Sequence, residues 1–119
     1  MATTVRLFAY SGTIALPNAA NNDQMLGTTL FMLKQTYLNR ETLAPTTGSA
    51  ALSASALSAH TSTRMLHVQV QPGKRVHYEV YGPNASAVVA DTSSPVITGH
   101  ENLEFYSGWH ISLLEVTEV

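Results

Sequence analysis

Apolar and polar residues alternate on both sides of a Pro72-Gly73 pair, and this pattern constrains the fold more than any other feature of the chain. Residues 66–80 read LHVQVQPGKRVHYEV. A period of two places successive side chains on opposite faces of a β-strand, whereas an α-helix has a period of 3.6. Glycine after proline favours a tight turn because glycine readily takes a positive φ. The sequence therefore predicts two strands joined by a turn.

The alternation also predicts how these two strands would pair. A three-residue loop from Pro72 to Lys74 gives a hairpin with one apolar face and one polar face, which is what strand register selects. We therefore expect His67, His77 and Glu79 on the solvent-exposed face, and not in a catalytic site. The predicted apolar pairs are Val70 with Val76, Val68 with Tyr78, and Leu66 with Val80, and the predicted polar pairs are Gln69 with His77 and His67 with Glu79.

Other stretches predict further strands and a single domain over residues 1–119. Near the start of the chain, Val5, Leu7 and Ala9 alternate with Arg6, Phe8 and Tyr10. A second turn at Ser107-Gly108 predicts a last hairpin that pairs Phe105 with Ile111 and Leu103 with Leu113. Shorter strands are expected over Ala85–Ala90 and in SSPVITG. Residues 28–38 fit a strand or a helix, and we favour a strand from Thr28 to Tyr37 because the first turn of a helix would lack acidic residues.

These elements predict an all-β fold, namely an antiparallel β-sandwich or small barrel of about seven short strands. Residues 39–63 are rich in Ala, Ser and Thr, so we predict a long loop or arm that is ordered mainly by a neighbouring chain. Its deletion is expected to leave the sandwich intact. The predicted core consists of Val5, Leu7, Leu66, Val68, Val70, Val76, Tyr78, Val80, Leu103, Phe105, Ile111 and Leu113.

Charged residues make up only 12% of the chain, about half the usual share. A folded monomer of this size exposes roughly 6,000 Å², so such sparse charges favour a large permanent interface with other chains. A neutral surface of Thr, Ser and Asn is the alternative. The net charge of −2 gives no reason to expect nucleic acid. No apolar run reaches the length of a membrane span, so no membrane partner is expected.

The residues capable of chemistry form no recognisable catalytic or metal-binding pattern. The absence of cysteine excludes disulfides and thiolate metal sites. The five histidines are not spaced as in any recognised metal-binding motif. No serine lies in a sequence motif of a catalytic nucleophile. We therefore predict no catalytic, cofactor-binding or metal-binding residues, no cofactor and no enzymatic activity. Aromatic side chains beside the turns suggest either sugar stacking or an interface, and we expect assembly contacts at Leu52, Leu57, Trp109 and Tyr106.

Four stretches carry a resemblance to a class of viral proteins: TLFMLKQTYLNRETLAP, VQPGKRVHYEVYGP, DTSSPVITG and GWHISLLEV. Together they cover about two fifths of the chain. They resemble the small β-rich head decoration or cement proteins of tailed bacteriophages. The resemblance implies a non-enzymatic homo-oligomer in the virion that binds the major capsid protein or another virion protein in many copies. The alternative is an Ig-like or carbohydrate-binding module displayed on a larger particle.

Overall fold

The computed structural model describes residues 2–11 and 36–118, and it is an all-β sandwich. Two antiparallel four-stranded sheets pack together, which confirms the predicted antiparallel sandwich. Within the described residues one 3-10 turn, Ser55–Ser58, accompanies the strands. The strands are β1 Val5–Tyr10, β2 Asn39–Leu43, β3 Ala51–Leu52, β4 Met65–Val70, β5 Arg75–Tyr81, β6 Val96–Thr98, β7 His100–Glu104 and β8 His110–Glu115.

The chain alternates repeatedly between the two sheets. The first sheet has the order β2-β1-β4-β7, and the second has the order β3-β8-β5-β6. In the first sheet, Leu7 of β1 pairs with Val68 of β4, and Val5 pairs with both Leu43 and Val70. Because these apolar residues recur at every second position, their side chains share the inner face of the sheet.

The core lies between the inner faces of the two sheets. All twelve predicted core residues belong to it: nine are buried, and Tyr78, Val80 and Leu103 are partly buried against the others. Phe105 is the largest fully buried side chain among the residues that the structure describes. The predicted core omitted four buried members, namely Ala9, Leu43, Leu57 and Ile97. Ala9 shares the alternating face of Val5 and Leu7 in β1, whereas the other three lie in shorter or less regular stretches.

The two predicted hairpins are wrong, because the strands on either side of each turn belong to different sheets. β4 pairs with β1 and β7, whereas β5 pairs with β6 and β8. Likewise, β7 lies in the first sheet and β8 in the second. None of the predicted pairs across Pro72-Gly73 or Ser107-Gly108 therefore forms. Each turn instead forms an arch, in which the two flanking strands lie in different sheets. Their apolar side chains face each other across the core, and no backbone hydrogen bonds pair the two strands.

The chain passes between the sheets at three glycines with positive φ. These are Gly73 between β4 and β5, Gly99 between β6 and β7, and Gly108 between β7 and β8, with φ of 81°, 75° and 84°. Residues with a side chain rarely adopt this backbone conformation. At Gly99 a single residue separates two strands of different sheets, so the positive φ lets one extended segment bend from one sheet into the other.

Residues 39–63 are part of the domain, which corrects the predicted loop or arm. β2 pairs with β1, and β3 pairs with β8. The 3-10 turn places Leu57 in the core with 2% of its surface exposed. The carboxylate of Glu41 accepts hydrogen bonds from the Ala54 backbone amide at 2.9 and 3.1 Å, which ties β2 to the start of this turn. Two short strands and one 3-10 turn hold this segment against the rest of the domain, so its sequence does not show the long apolar alternation of a regular strand.

Two further strand predictions concern less regular parts of the chain. Most of the predicted strand Thr28 to Tyr37, namely residues 28–35, lies outside the described residues. Residues 36 and 37 precede β2 and have no strand structure. The predicted strand Ala85–Ala90 is wrong, because residues 85–90 pair with no strand. The strand predicted in SSPVITG is confirmed as β6.

Candidate interaction surfaces

The segment between β5 and β6, residues 82–95, lies over the outer face of the second sheet, and we call it the valine loop. Strand β8 is buried on both sides: Leu113 faces the core, while Ser112 and Leu114 face outward and are also buried. The backbone amide of Ala90 donates a hydrogen bond to the Ser112 hydroxyl at 3.0 Å. The loop therefore covers β8, which explains why apolar residues occupy both faces of the last strand.

Ser94 anchors the end of the valine loop to β5. Its carbonyl oxygen lies 2.9 Å from Nδ1 of His77, and its hydroxyl donates to Oε2 of Glu79 at 2.7 Å. Because a carbonyl oxygen only accepts, Nδ1 of His77 carries the proton in this contact. The Asp91 backbone amide donates to the same hydroxyl at 3.1 Å. The predicted solvent-exposed face is thus wrong for His77, which is buried, and for Glu79, which is half-buried.

A second set of contacts shapes the loop just before this anchor. The carboxylate of Asp91 accepts hydrogen bonds from the hydroxyl and the backbone amide of Ser93, at 2.6 and 2.9 Å. The hydroxyl contact, followed by the amide contact, lowers the pKa of Asp91 below its ordinary value. Asp91 is therefore ionised near neutral pH, and it places a negative charge at the exposed surface of the valine loop.

The two histidines that were expected on one exposed face should differ in their effect on stability. We expect His77→Ala to lower the free energy of unfolding by about 1–3 kcal/mol, because it leaves the buried Ser94 carbonyl without its donor. His67→Ala should cost about 0.5 kcal/mol or less, since His67 is half-buried and its partner Asn102 is exposed. Urea unfolding followed by circular dichroism measures both. Equal losses would contradict the placement of His77.

The middle of the valine loop is exposed and uncharged, and it ends in two apolar residues. Residues 83–89 read PNASAVV and all are exposed. Val88 and Val89 expose 41% and 64% of their surface, and Val96 on the neighbouring edge strand exposes 40%. Exposed apolar side chains on an anchored loop make this loop a candidate contact surface. This group was not identifiable as exposed from the sequence, because VVA fits a buried strand equally well.

The outer face of the first sheet has a different character, and we call it the arginine face. It consists of the outward side chains of β1, β2, β4 and β7, with Arg6, Phe8 and Tyr10 on β1. The ring of Phe8 lies 5.5 Å from that of Tyr37, and the guanidinium carbon of Arg40 lies 5.8 Å from the Tyr37 ring centre. The face therefore combines aromatic surface with cationic groups.

Two histidines occupy the same face beside Phe8. The rings of His67 and His100 meet edge to face at 5.4 Å, and Nδ1 of His67 lies 2.7 Å from the side-chain oxygen of Asn102. His67 pairs across the sheet with Phe8 and Asn102, and not with Glu79 as the hairpin predicted. Because Glu104 lies on the outward side of the edge strand β7, this face also carries one acidic group.

One end of the sandwich carries a cluster of half-buried aromatic residues. The rings of Tyr106 and Trp109 lie 4.9 Å apart, and the rings of Tyr81 and His110 stack at 5.4 Å. Gly82 lies directly against the indole of Trp109, where an added Cβ would be 3.3 Å from Nε1. Trp109 also packs against the core. These residues close the end of the sandwich and leave part of their aromatic surface accessible.

The four residues expected at assembly contacts therefore lie in different environments. Leu52 exposes 52% of its surface on the short edge strand β3, so it is available to another chain. Tyr106 and Trp109 are partly exposed at the aromatic end. Leu57 is buried in the core and is not available for a contact, which corrects this part of the prediction. The sequence alone could not separate the two leucines, because both follow small residues in the same low-complexity stretch.

The arrangement of ionisable groups gives no defined chemical centre in the described part of the chain. Among the described residues, no three His, Asp or Glu side chains are grouped to hold a metal ion. His77 contacts the carbonyl of Ser94 and not its hydroxyl, so the two are not paired as base and nucleophile. No helix in the described ranges is long and apolar enough to cross a membrane. No protein-family model, curated protein or solved structure matches this chain.

Proposed function

We propose that this chain is a non-enzymatic structural protein of a tailed-phage virion, which stabilises the capsid through contacts with the major capsid protein or another virion protein. The observation that carries the proposal is the valine loop. It exposes Val88 and Val89 although Ser94 and Ser112 fix its end against the sheet. An apolar loop that is already ordered loses little conformational entropy when a partner covers it.

The sparse charge of the chain supports the same proposal. Charged residues account for 12% of the sequence, and among the described residues several are already engaged with one another. Arg75 pairs with Glu118 at 3.1 Å, and Lys74 lies 3.8 Å from Glu115. A surface with few free charges binds water weakly and favours association over the free monomer. The resemblance to decoration proteins is the reason why we propose a capsid as the partner in that association.

The test is whether the chain binds virions saturably through the valine loop. Labelled chain is mixed with virions of the encoding phage that have been stripped of it, and co-sedimentation measures stoichiometry and affinity. We expect a fixed ratio to the shell protein, and a Kd about tenfold higher or more for Val89→Asp, because a charge would be desolvated in the contact. Thr61→Asp, which adds the same charge at another exposed position, is the matched control. The proposal fails if the chain is absent from purified virions and does not bind stripped ones.

A carbohydrate-binding module displayed on a larger particle is the second candidate, and the aromatic end is the observation that favours it. Tyr81, Tyr106, Trp109 and His110 present partly accessible ring surfaces at one end of the sandwich. Aromatic rings can stack against the apolar faces of sugars. A glycan array separates the two functions: specific retention that is lost in Trp109→Ala, without saturable virion binding, would favour the module.

A further inference from the structure

We infer that copies of this chain associate head to tail, with the valine loop of one copy seated on the arginine face of the next. This inference rests on the proposed function in assigning the valine loop as a contact surface, and it names a second copy of the chain as a partner of that surface. The two surfaces lie on opposite sides of the sandwich, because one covers the outer face of the second sheet and the other is the outer face of the first.

The arginine face has cationic groups that the rest of the described chain leaves free. Arg6 and Arg40 are exposed, and neither forms an ion pair with a carboxylate of the described residues. They lie on neighbouring strands beside Phe8, whose partner across the sheet is Arg40. Glu104 is the one acidic side chain on this face in the described part of the chain, and it lies on the edge strand.

The surface around the valine loop has the opposite charge. Asp91 is exposed, and Glu79 is half-buried beneath the loop. The nearest cation on the outer side of β5 is Arg75, which is occupied by a two-point contact with Glu118 at 3.1 and 3.2 Å. These hydrogen bonds, and then the charge of Glu118, raise the pKa of Arg75. The Glu118 carboxylate balances the charge of Arg75 locally.

The apolar parts of the two surfaces are also suited to each other. The valine loop presents Val88 and Val89, with Val96 exposed on the neighbouring strand. The arginine face presents the tilted pair of Phe8 and Tyr37, with 38% of Tyr37 exposed. Each surface thus has apolar side chains beside charges, and the charges have opposite signs. An interface of this composition has an apolar centre and a charged rim.

Charge sign selects the head-to-tail arrangement over a symmetric dimer. A two-fold dimer through the arginine face would bring Arg6 and Arg40 of both copies into one interface, where Glu104 is the one described acidic side chain on each side. A two-fold dimer through the valine loop would likewise bring Asp91 of both copies into one interface without an unpaired cation on the loop. Like charges across an interface oppose association. A contact between unlike surfaces is heterologous, so it produces a closed ring or an open filament.

A charge-exchange experiment on the isolated chain tests the inference. Arg6→Glu/Arg40→Glu makes the arginine face negative, and Val88→Lys/Val89→Lys makes the loop surface positive. All four positions are exposed, and circular dichroism verifies folding. Sedimentation velocity over a wide concentration range measures association. We expect the unchanged chain to form assemblies larger than a dimer, and each double variant alone to raise the self-association Kd about tenfold or more.

The decisive result is the mixture of the two double variants. Their unlike surfaces are complementary in both directions, so the mixture and the quadruple variant should associate again, and added salt should weaken both. Arg64→Glu, which changes an exposed arginine outside the arginine face, should leave association unchanged. An unchanged chain that stays monomeric, assembly that stops at a dimer, or a mixture that fails to associate would overturn the inference. Saturable virion binding by a monomeric chain would preserve the proposed function alone.

Discussion

Phe105→Ala is expected to lower the free energy of unfolding by about 3–5 kcal/mol, because it leaves a cavity in place of the largest fully buried side chain of the described residues. Phe105 follows β7 and lies between the two sheets, so the neighbouring side chains can collapse into the space only in part. A domain of this size has a total stability of about 5–15 kcal/mol. The variant should therefore lose a large fraction of the total stability. The midpoint of urea unfolding measures the loss.

Phe8→Ala is the matched control for this prediction. Phe8 is half-buried on the outer face of the first sheet, and its removal leaves no cavity between the sheets. We expect it to cost about 1 kcal/mol. A loss for Phe105→Ala that is no larger than the loss for Phe8→Ala would mean that Phe105 does not lie between the sheets.

Leu57→Ala should lower the free energy of unfolding by about 2–5 kcal/mol, although it lies in a stretch of Ala, Ser and Thr. Its side chain is 2% exposed and joins the core from the 3-10 turn. Leu52→Ala is the control within the same segment, since Leu52 is 52% exposed and its loss should stay within about 0.5 kcal/mol. Thermal and urea unfolding of the isolated chain measure both variants.

The outcome of this pair decides what residues 39–63 are. A large loss at Leu57 with little loss at Leu52 identifies the segment as part of the domain's own core. If both variants retain the stability of the unchanged chain, the segment is an arm that needs a neighbouring chain for order. The hydrogen bonds that surround Leu57 favour the first result: the Ser58 hydroxyl donates to the Trp109 carbonyl at 2.7 Å, and the Gly108 amide donates to the Ser58 carbonyl at 3.0 Å.

The sequence predicted the faces of the strands but not their partners. Alternation places Leu66, Val68 and Val70 on one face whether the next strand pairs with β4 or crosses to the other sheet. A hairpin and an arch both bring these residues towards Val76, through a backbone ladder in one case and across the core in the other. The turn signal does not separate them either, because Gly73 takes a positive φ in the arch as it would in a hairpin. Whether the turn forms a hairpin or an arch depends on the strands from distant parts of the chain that pair with β4 and β5.

The candidate surfaces were predictable to a smaller extent. Leu52, Tyr106 and Trp109 are accessible, as a contact residue must be, but the same prediction also named Leu57, which is buried. The anchor at Ser94 was not predicted, because a serine in a loop gives no local signal that it will bind a buried histidine and a carboxylate at once. The exposure of Val88 and Val89 was hidden for a related reason. Two adjacent β-branched residues are typical of strands. Here they lie in a loop that covers the outward positions of β8, so they are exposed and do not pair in a sheet.

The order of the strands has a consequence for how the chain reaches its folded state. In the described sheets, the interior strand β1 lies near the start of the chain, whereas β8, the interior strand of the other sheet, lies near the end. Even the closest pairing between described strands, His77 with Val96, spans the whole valine loop. Such distant contacts slow folding because each closes a long loop before it contributes stability. During synthesis the second sheet can be completed only after β8 has been made, because β8 joins β3 to β5. Until then the apolar inner face of the first sheet is covered only in part.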